Sequence, residues 1–155
     1  MMSGYFSGQL NSLDLSNMNL PEGYTFISFD EKDVPEKYRK QWEYLSGSYV
    51  VWDVIPENAH VLFLMKEEEV VYSIFFITDE KISTGMLHGG KCKEAYMRKG
   101  FYKYVCLRGL TIMKEKGLKV VDEHTGKSYL WPFWISIGCK EVEKLSHLVN
   151  EGRRK

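Results

Sequence analysis

The chain has 155 residues, 44% of them apolar and 27% charged, a composition that suits one folded domain and excludes wholesale disorder. Lys+Arg and Asp+Glu are equal at 21 each, so no global field holds the chain on nucleic acid or anionic lipid, and any partner must be recognised locally. Cys92, Cys106 and Cys139 form no Cys-x-x-Cys pair, which argues against a disulfide framework and a thiolate zinc site; together with the lack of any run near the ~20 apolar residues that span a bilayer, this sets the expectation of a cytoplasmic protein without membrane contact.

Residues 1–23 are rich in Ser, Asn and Gly with scattered leucines, end at Pro21-Glu22-Gly23, and are expected to form an arm or tail. Leu10, Leu13, Leu15 and Leu20 echo a leucine-rich repeat, but no second copy follows and a single unit cannot bury its own face. Tyr24 to Phe29 alternates as a half-buried strand does. Asp33, Pro35 and Glu36 then open an amphipathic helix carrying Tyr38, Trp42 and Leu45, closed before Gly47. Tyr49 to Ile55 reads either as a further strand or as a short irregular segment.

His60 to Met65 and Val70 to Ile77 are strands, and the charged Lys66–Glu69 between them is a hairpin connection. From Ile82 to Cys92 a third run carries Gly85, Gly89 and Gly90, which weaken a regular strand and mark a bulge or a close backbone approach. Phe101 to Lys116 places Tyr102, Val105, Cys106, Leu110 and Met113 on one helical face, with Lys114 and Lys116 at the negative dipole end and Gly117 as the cap. Leu118 to Val121 suits a buried strand that pairs in parallel after the helical crossover. Pro132 opens a brief helix over Phe133, Trp134 and Ile137, closed by Gly138, and a last strand is expected near Val142 to Leu148.

The two stretches that carry chemistry are Glu94 to Lys103, followed by Met113 to Val121, and Phe133 to Val142. In the first, a Gly-containing basic turn enters a long helix, whose bare N–H groups attract a diphosphate while Gly lets the backbone come close. With the element order, these stretches resemble the GNAT family of acyl-coenzyme A dependent N-acyltransferases, over Tyr24 to Leu148. The resemblance implies an α/β (α+β) domain over residues 24–155, with a mixed central sheet of about six to seven strands flanked by helices. It implies transfer of an acetyl or short acyl group from acetyl-coenzyme A, or another acyl-coenzyme A, to a primary amine on a small molecule or protein.

In the family the phosphate loop reads Arg or Gln, two residues, Gly, one residue, then Gly or Ala. Here Met97 stands at the first position, Gly100 matches, and Tyr102 stands at the last, with Arg98 and Lys99 supplying charge nearby. Met97, Arg98, Lys99, Gly100, Phe101, Tyr102 and Trp134 are thus the implied coenzyme-binding residues. Trp134 lies four before Gly138, where many members carry a Tyr that protonates the leaving thiolate, a role indole cannot fill. The family also needs a base, for which Glu80, His88, Asp122, Glu123 and His124 are the candidates. His88, in the Gly-rich strand expected to line the cleft, and Glu123 are carried forward as catalytic residues. The alternative is a GNAT-like module without catalysis, serving in binding or in a larger assembly, and the 14% aromatic content leaves room for self-association.

Three competing motifs are weaker. Gly85 to Cys92 matches a P-loop except at its last position, where Cys replaces the magnesium-binding hydroxyl. His60, His88, His124 and His147 are too dispersed for a zinc motif, and no metal is expected. The basic and aromatic residues of Lys91 to Lys103 suit a solvated loop and a buried helix face better than a nucleic-acid surface.

Overall fold

The computed structural model describes residues 4–46 and 59–143. In chain order it contains β1 (Tyr5–Gln9), β2 (Tyr24–Asp30), α1 (Glu36–Ser46), β3 (His60–Lys66), β4 (Glu69–Asp79), β5 (Thr84–Cys92), α2 (Phe101–Glu115), β6 (Val120–His124), α3 (Trp131–Ser136) and β7 (Lys140–Val142). One seven-stranded mixed sheet runs in the order β2-β3-β4-β5-β6-β1-β7. No described helix is long and apolar enough to cross a membrane.

Period-two alternation gives the sheet two buried faces. Leu62 and Leu64 of β3 and Ile74 and Phe76 of β4 join the core under α2, with Val105, Leu110 and Met113. The intervening Val61, Phe63 and Met65, with Ile77 and Met86, pack on the other side with Trp42 of α1. Burial on both faces is why β3 reads as a continuous apolar run rather than as an alternating one. The hairpin turn falls at Glu67, whose φ of 55° lies in the left-handed region, between β3 and β4 as expected.

Two expectations change. Residues 5–13, read as part of an arm, are built into the sheet and the core: β1 pairs antiparallel with β6 on one side and β7 on the other, and Phe6 and Leu10 are fully buried. Leu10 and Leu13 therefore pack in the core, not on a repeat face. The strand expected at Leu118 to Val121 begins at Val120 and runs on to His124. Leu118 is held back because its N–H bonds Met113 O while the Gly117 N–H bonds Lys114 O, the paired closure of a helix ending on a left-handed glycine, here with φ 88°. The possible element at Tyr49 to Ile55, and the part of the final strand beyond residue 143, lie outside the described residues; Lys140–Val142 forms the described β7.

The placement of β1 is testable by denaturant unfolding. Phe6→Ala should cost about 3–5 kcal/mol, as for a core aromatic. A change below about 0.5 kcal/mol, the usual range for a surface site, would return the segment to the status of a tail.

Candidate active-site cleft

β5 and β6 are parallel and pair at only two positions, Thr84↔Val120 and Gly85↔Val121. Beyond these the strands part. On its other side β5 is bulged: Phe75 pairs with His88 and Ser73 with Lys91, so Gly89 and Gly90 oppose the single residue Ile74. Gly89 has φ 64°, and a Cβ there would come within 2.5 Å of the Phe75 ring, so the bulge needs glycine. At the narrow end α2 is drawn close to β5, where a Cβ on Gly109 would meet Leu87 at 2.8 Å and one on Gly85 would meet Met113 at 2.8 Å.

The wide end faces the start of α2. Gly100, at φ 76°, precedes the helix without a side-chain cap, and nothing lies within 4 Å of where its Cβ would be. The start of this 15-residue helix, Gly100 to Tyr102, lines the cleft, and its first N–H groups have no side-chain cap. The turn before it is anchored from behind: the Tyr96 hydroxyl donates to Glu69 at 3.0 Å and Lys93 pairs with the same carboxylate. The result is a cleft of about 1090 Å³. Its rim carries Lys91, Arg98 and Lys127, so a chain of zero net charge presents a locally cationic opening.

Of the residues expected at the site, Met97, Arg98, Gly100, Phe101, Tyr102, His88 and Glu123 all line this cleft, and Lys99 and Trp134 do not. Lys99 is exposed. Trp134 is fully buried behind Tyr102, and its indole N–H donates to the Tyr102 hydroxyl at 3.0 Å. The large residue at the small-residue position is thus turned toward the core, with its ring edge-on to Phe133. Burial keeps the Tyr102 phenol protonated far above its usual range.

Glu123 is the polar group at the inner end. It is buried, and its carboxylate accepts the Leu87 N–H at 3.0 Å across the gap between the strands. Burial raises its pKa well above the ordinary value; the Leu87 N–H opposes that rise and the neighbouring Asp122 adds to it. Asp122 points to the other face, where the Ser7 hydroxyl donates to it at 2.8 Å. His124 lines the cleft and packs against the Tyr5 ring in a tilted pair, with centroids 4.7 Å apart. Glu80 lies elsewhere, in a separate cavity of about 600 Å³ near the C-terminal end of α2. Sequence reasoning missed Lys127, whose only signal was a turn directly after the strand that carries Glu123. The P-loop look-alike is strand β5 itself, with no loop to wrap a phosphate. Among the described residues no cluster of three or more His, Cys, Asp or Glu is arranged to hold a metal.

No protein-family model and no curated protein matches the sequence. Solved structures do match its shape. A GCN5-related N-acetyltransferase from Kribbella flavida superposes with a TM-score of 0.66 at 12% identity, covering 97% of this chain and 61% of that one. A tandem GNAT protein from the clavulanic acid biosynthesis pathway gives 0.69 at 10% identity, over 89% of this chain and 49% of that one. The chain has a GNAT fold. An aminoglycoside acetyltransferase from an uncultured soil metagenomic sample, in complex with sisomicin, gives 0.58 at 16% identity, over 81% of this chain and 93% of that one. Against the first two, this GNAT-fold chain spans roughly half to three-fifths of the neighbour's length.

Two measurements probe the site. Tyr102→Phe should destabilise the fold by about 1–3 kcal/mol, since it strands the buried Trp134 N–H; an unchanged unfolding midpoint would show that this bond is not held in solution. Glu123 tests the electrostatics. Its folded pKa lies above the ordinary 4.5, so its proton-linked stabilisation is complete below that value and is lost as pH rises to the folded pKa. The stability of the wild type relative to Glu123→Gln should therefore fall with pH from about 4.5 upward, and a difference that stays flat over that range would place the carboxyl in water.

Proposed function

We propose that the protein is an N-acyltransferase that moves an acetyl or other short acyl group from an acyl-coenzyme A to a primary amine. The observation that carries this is the parting of two parallel strands whose wide end opens on an uncapped helix start. A bare helix N-terminus is an anion site, and Arg98 and Lys127 add fixed charge to it. The open space at Gly100 lets a diphosphate approach the main chain. Between β5 and β6 there is room for an extended arm, walled by Leu87, Ile74 and Tyr102.

The coenzyme supplies a thioester, an acyl carbon activated toward attack by nitrogen. The C–N bond forms, the C–S bond breaks, and its electron pair leaves on sulfur. Glu123 takes the proton that the attacking amine gives up, its raised pKa making it a stronger base than a carboxylate in water. Tyr102, whose hydroxyl accepts the Trp134 indole N–H, lines the cleft at the start of α2. Holding donor and amine together supplies much of the rate. A second reading, a binding module without turnover, draws on Trp134, which cannot act as an acid where the family commonly places one.

Calorimetry and thermal unfolding with acetyl-coenzyme A test the proposal. At a ligand concentration about 100 times Kd, the fold should gain about 2.7 kcal/mol. Gly100→Val should fold, at a cost of roughly 1–2 kcal/mol for its left-handed φ, and lose the affinity. Absence of binding heat and of any thermal shift in the parent chain would sink the transferase, whereas binding without acyl transfer to a panel of amines would favour the module. Glu123→Gln should retain binding and lose about 10²–10⁴ in rate.

A further inference from the structure

We infer that Glu123 keeps the donor's place: its carboxylate sits on the Leu87 N–H that an extended, amide-bearing ligand laid along β5 takes, and it is released when that ligand binds. The inference rests on the acyl-coenzyme A reading of the cleft. Past Gly85↔Val121, the main-chain groups of β5 that face β6 lose their ladder partners. Leu87 is two residues beyond Gly85, and Glu123 two beyond Val121. The bond from Leu87 N–H to the Glu123 carboxylate, at 3.0 Å, is a side-chain rung standing where the next backbone rung is missing. A buried N–H needs an acceptor, and in the ligand-free chain Glu123 provides it.

An extended arm inserted between diverging strands behaves as an intervening strand. Its amide carbonyls compete for the same N–H, and the arm of coenzyme A carries two amides. Handing over that N–H frees the carboxylate inside the cleft. The titratable groups within electrostatic reach of it are Asp122, on the other face of its own strand, Tyr102 and Cys106 of α2, and Cys139 just before β7. Losing the N–H also removes the bond that had opposed the effect of burial, so the carboxylate becomes more basic when the donor arrives.

Amide hydrogen exchange at Leu87, followed by NMR on the full chain with and without coenzyme A, tests the exchange of partners. In the wild type the Leu87 N–H should be protected in both states. In Glu123→Ala it should exchange freely alone and become protected with coenzyme A, and calorimetry should show coenzyme A bound about 2- to 10-fold more tightly, the range expected when one hydrogen bond no longer has to be displaced. Should the alanine chain fail to fold, the wild type still decides: the side-chain carboxyl carbon of Glu123 should shift when coenzyme A is added. The inference is overturned if the wild type binds coenzyme A with that carbon unmoved, or if the folded alanine variant binds it no more tightly. If neither chain binds coenzyme A, the donor reading itself falls and takes this inference with it.

Discussion

Strand β6 has two neighbours and follows one of them. It pairs with β1 at five successive positions, from Tyr5↔His124 to Gln9↔Val120, and with β5 at two. Further ties hold its far end to the β1 side: Ser7 bonds Asp122, the Thr125 N–H bonds Gly4 O, and the Trp131 indole N–H bonds Thr125 O. β5 is tied as firmly the other way, to β4, through a bulge that turns its course at Gly89. Two strands held by opposite neighbours can share only their first residues. The cleft is the space that this division leaves, and it would close if β6 lost β1 and relaxed toward β5.

This explains why the segment least legible in the sequence matters most to the site. Tyr5–Gln9 is too short and too rich in Ser and Gly to show alternation, and only Phe6 of its five residues is fully buried. Its strand character comes from the two partners that it lies between, neither of which is near in sequence. The β3–β4 hairpin and α2 were legible because their signals are local: a charged turn between apolar runs, and an apolar stripe of helical period with a glycine cap. Trp134 shows the limit of reading by position alone. Its place ahead of Gly138 pointed to the cleft, but packing puts it behind Tyr102, and it reaches the site through one hydrogen bond. Leu87 carried no signal at all, because its contribution is a main-chain N–H and no side chain announces it.

The interior of the cleft joins a cost to a use. A carboxyl as deeply buried as Glu123 is expensive to ionise, and no cation among the described residues is paired with it. It accepts one backbone N–H, and the groups within electrostatic reach of it are a phenol, two thiols and the Asp122 carboxyl, none of them a cation. An apolar residue there would leave the Leu87 N–H with no acceptor once the strands have parted. The carboxyl is therefore the local solution to a rung that divergence removed, and its raised pKa follows from that position.

Helix α2 supplies the complementary field. Its last turn is closed by backbone bonds from Lys116, Gly117 and Leu118, and Lys114 lies in that turn to meet the negative end of the dipole. Its first turn has no side-chain acceptor, and the glycine ahead of it is solvent-exposed. Closing one end and leaving the other bare preserves a positive potential where the cleft is widest. Tyr102 sits at that end without blocking it because its hydroxyl is drawn inward by Trp134. A bulky residue thus occupies a small-residue position with its hydroxyl turned to Trp134, while the helix start keeps no side-chain cap and the glycine ahead of it stays exposed beside the cleft.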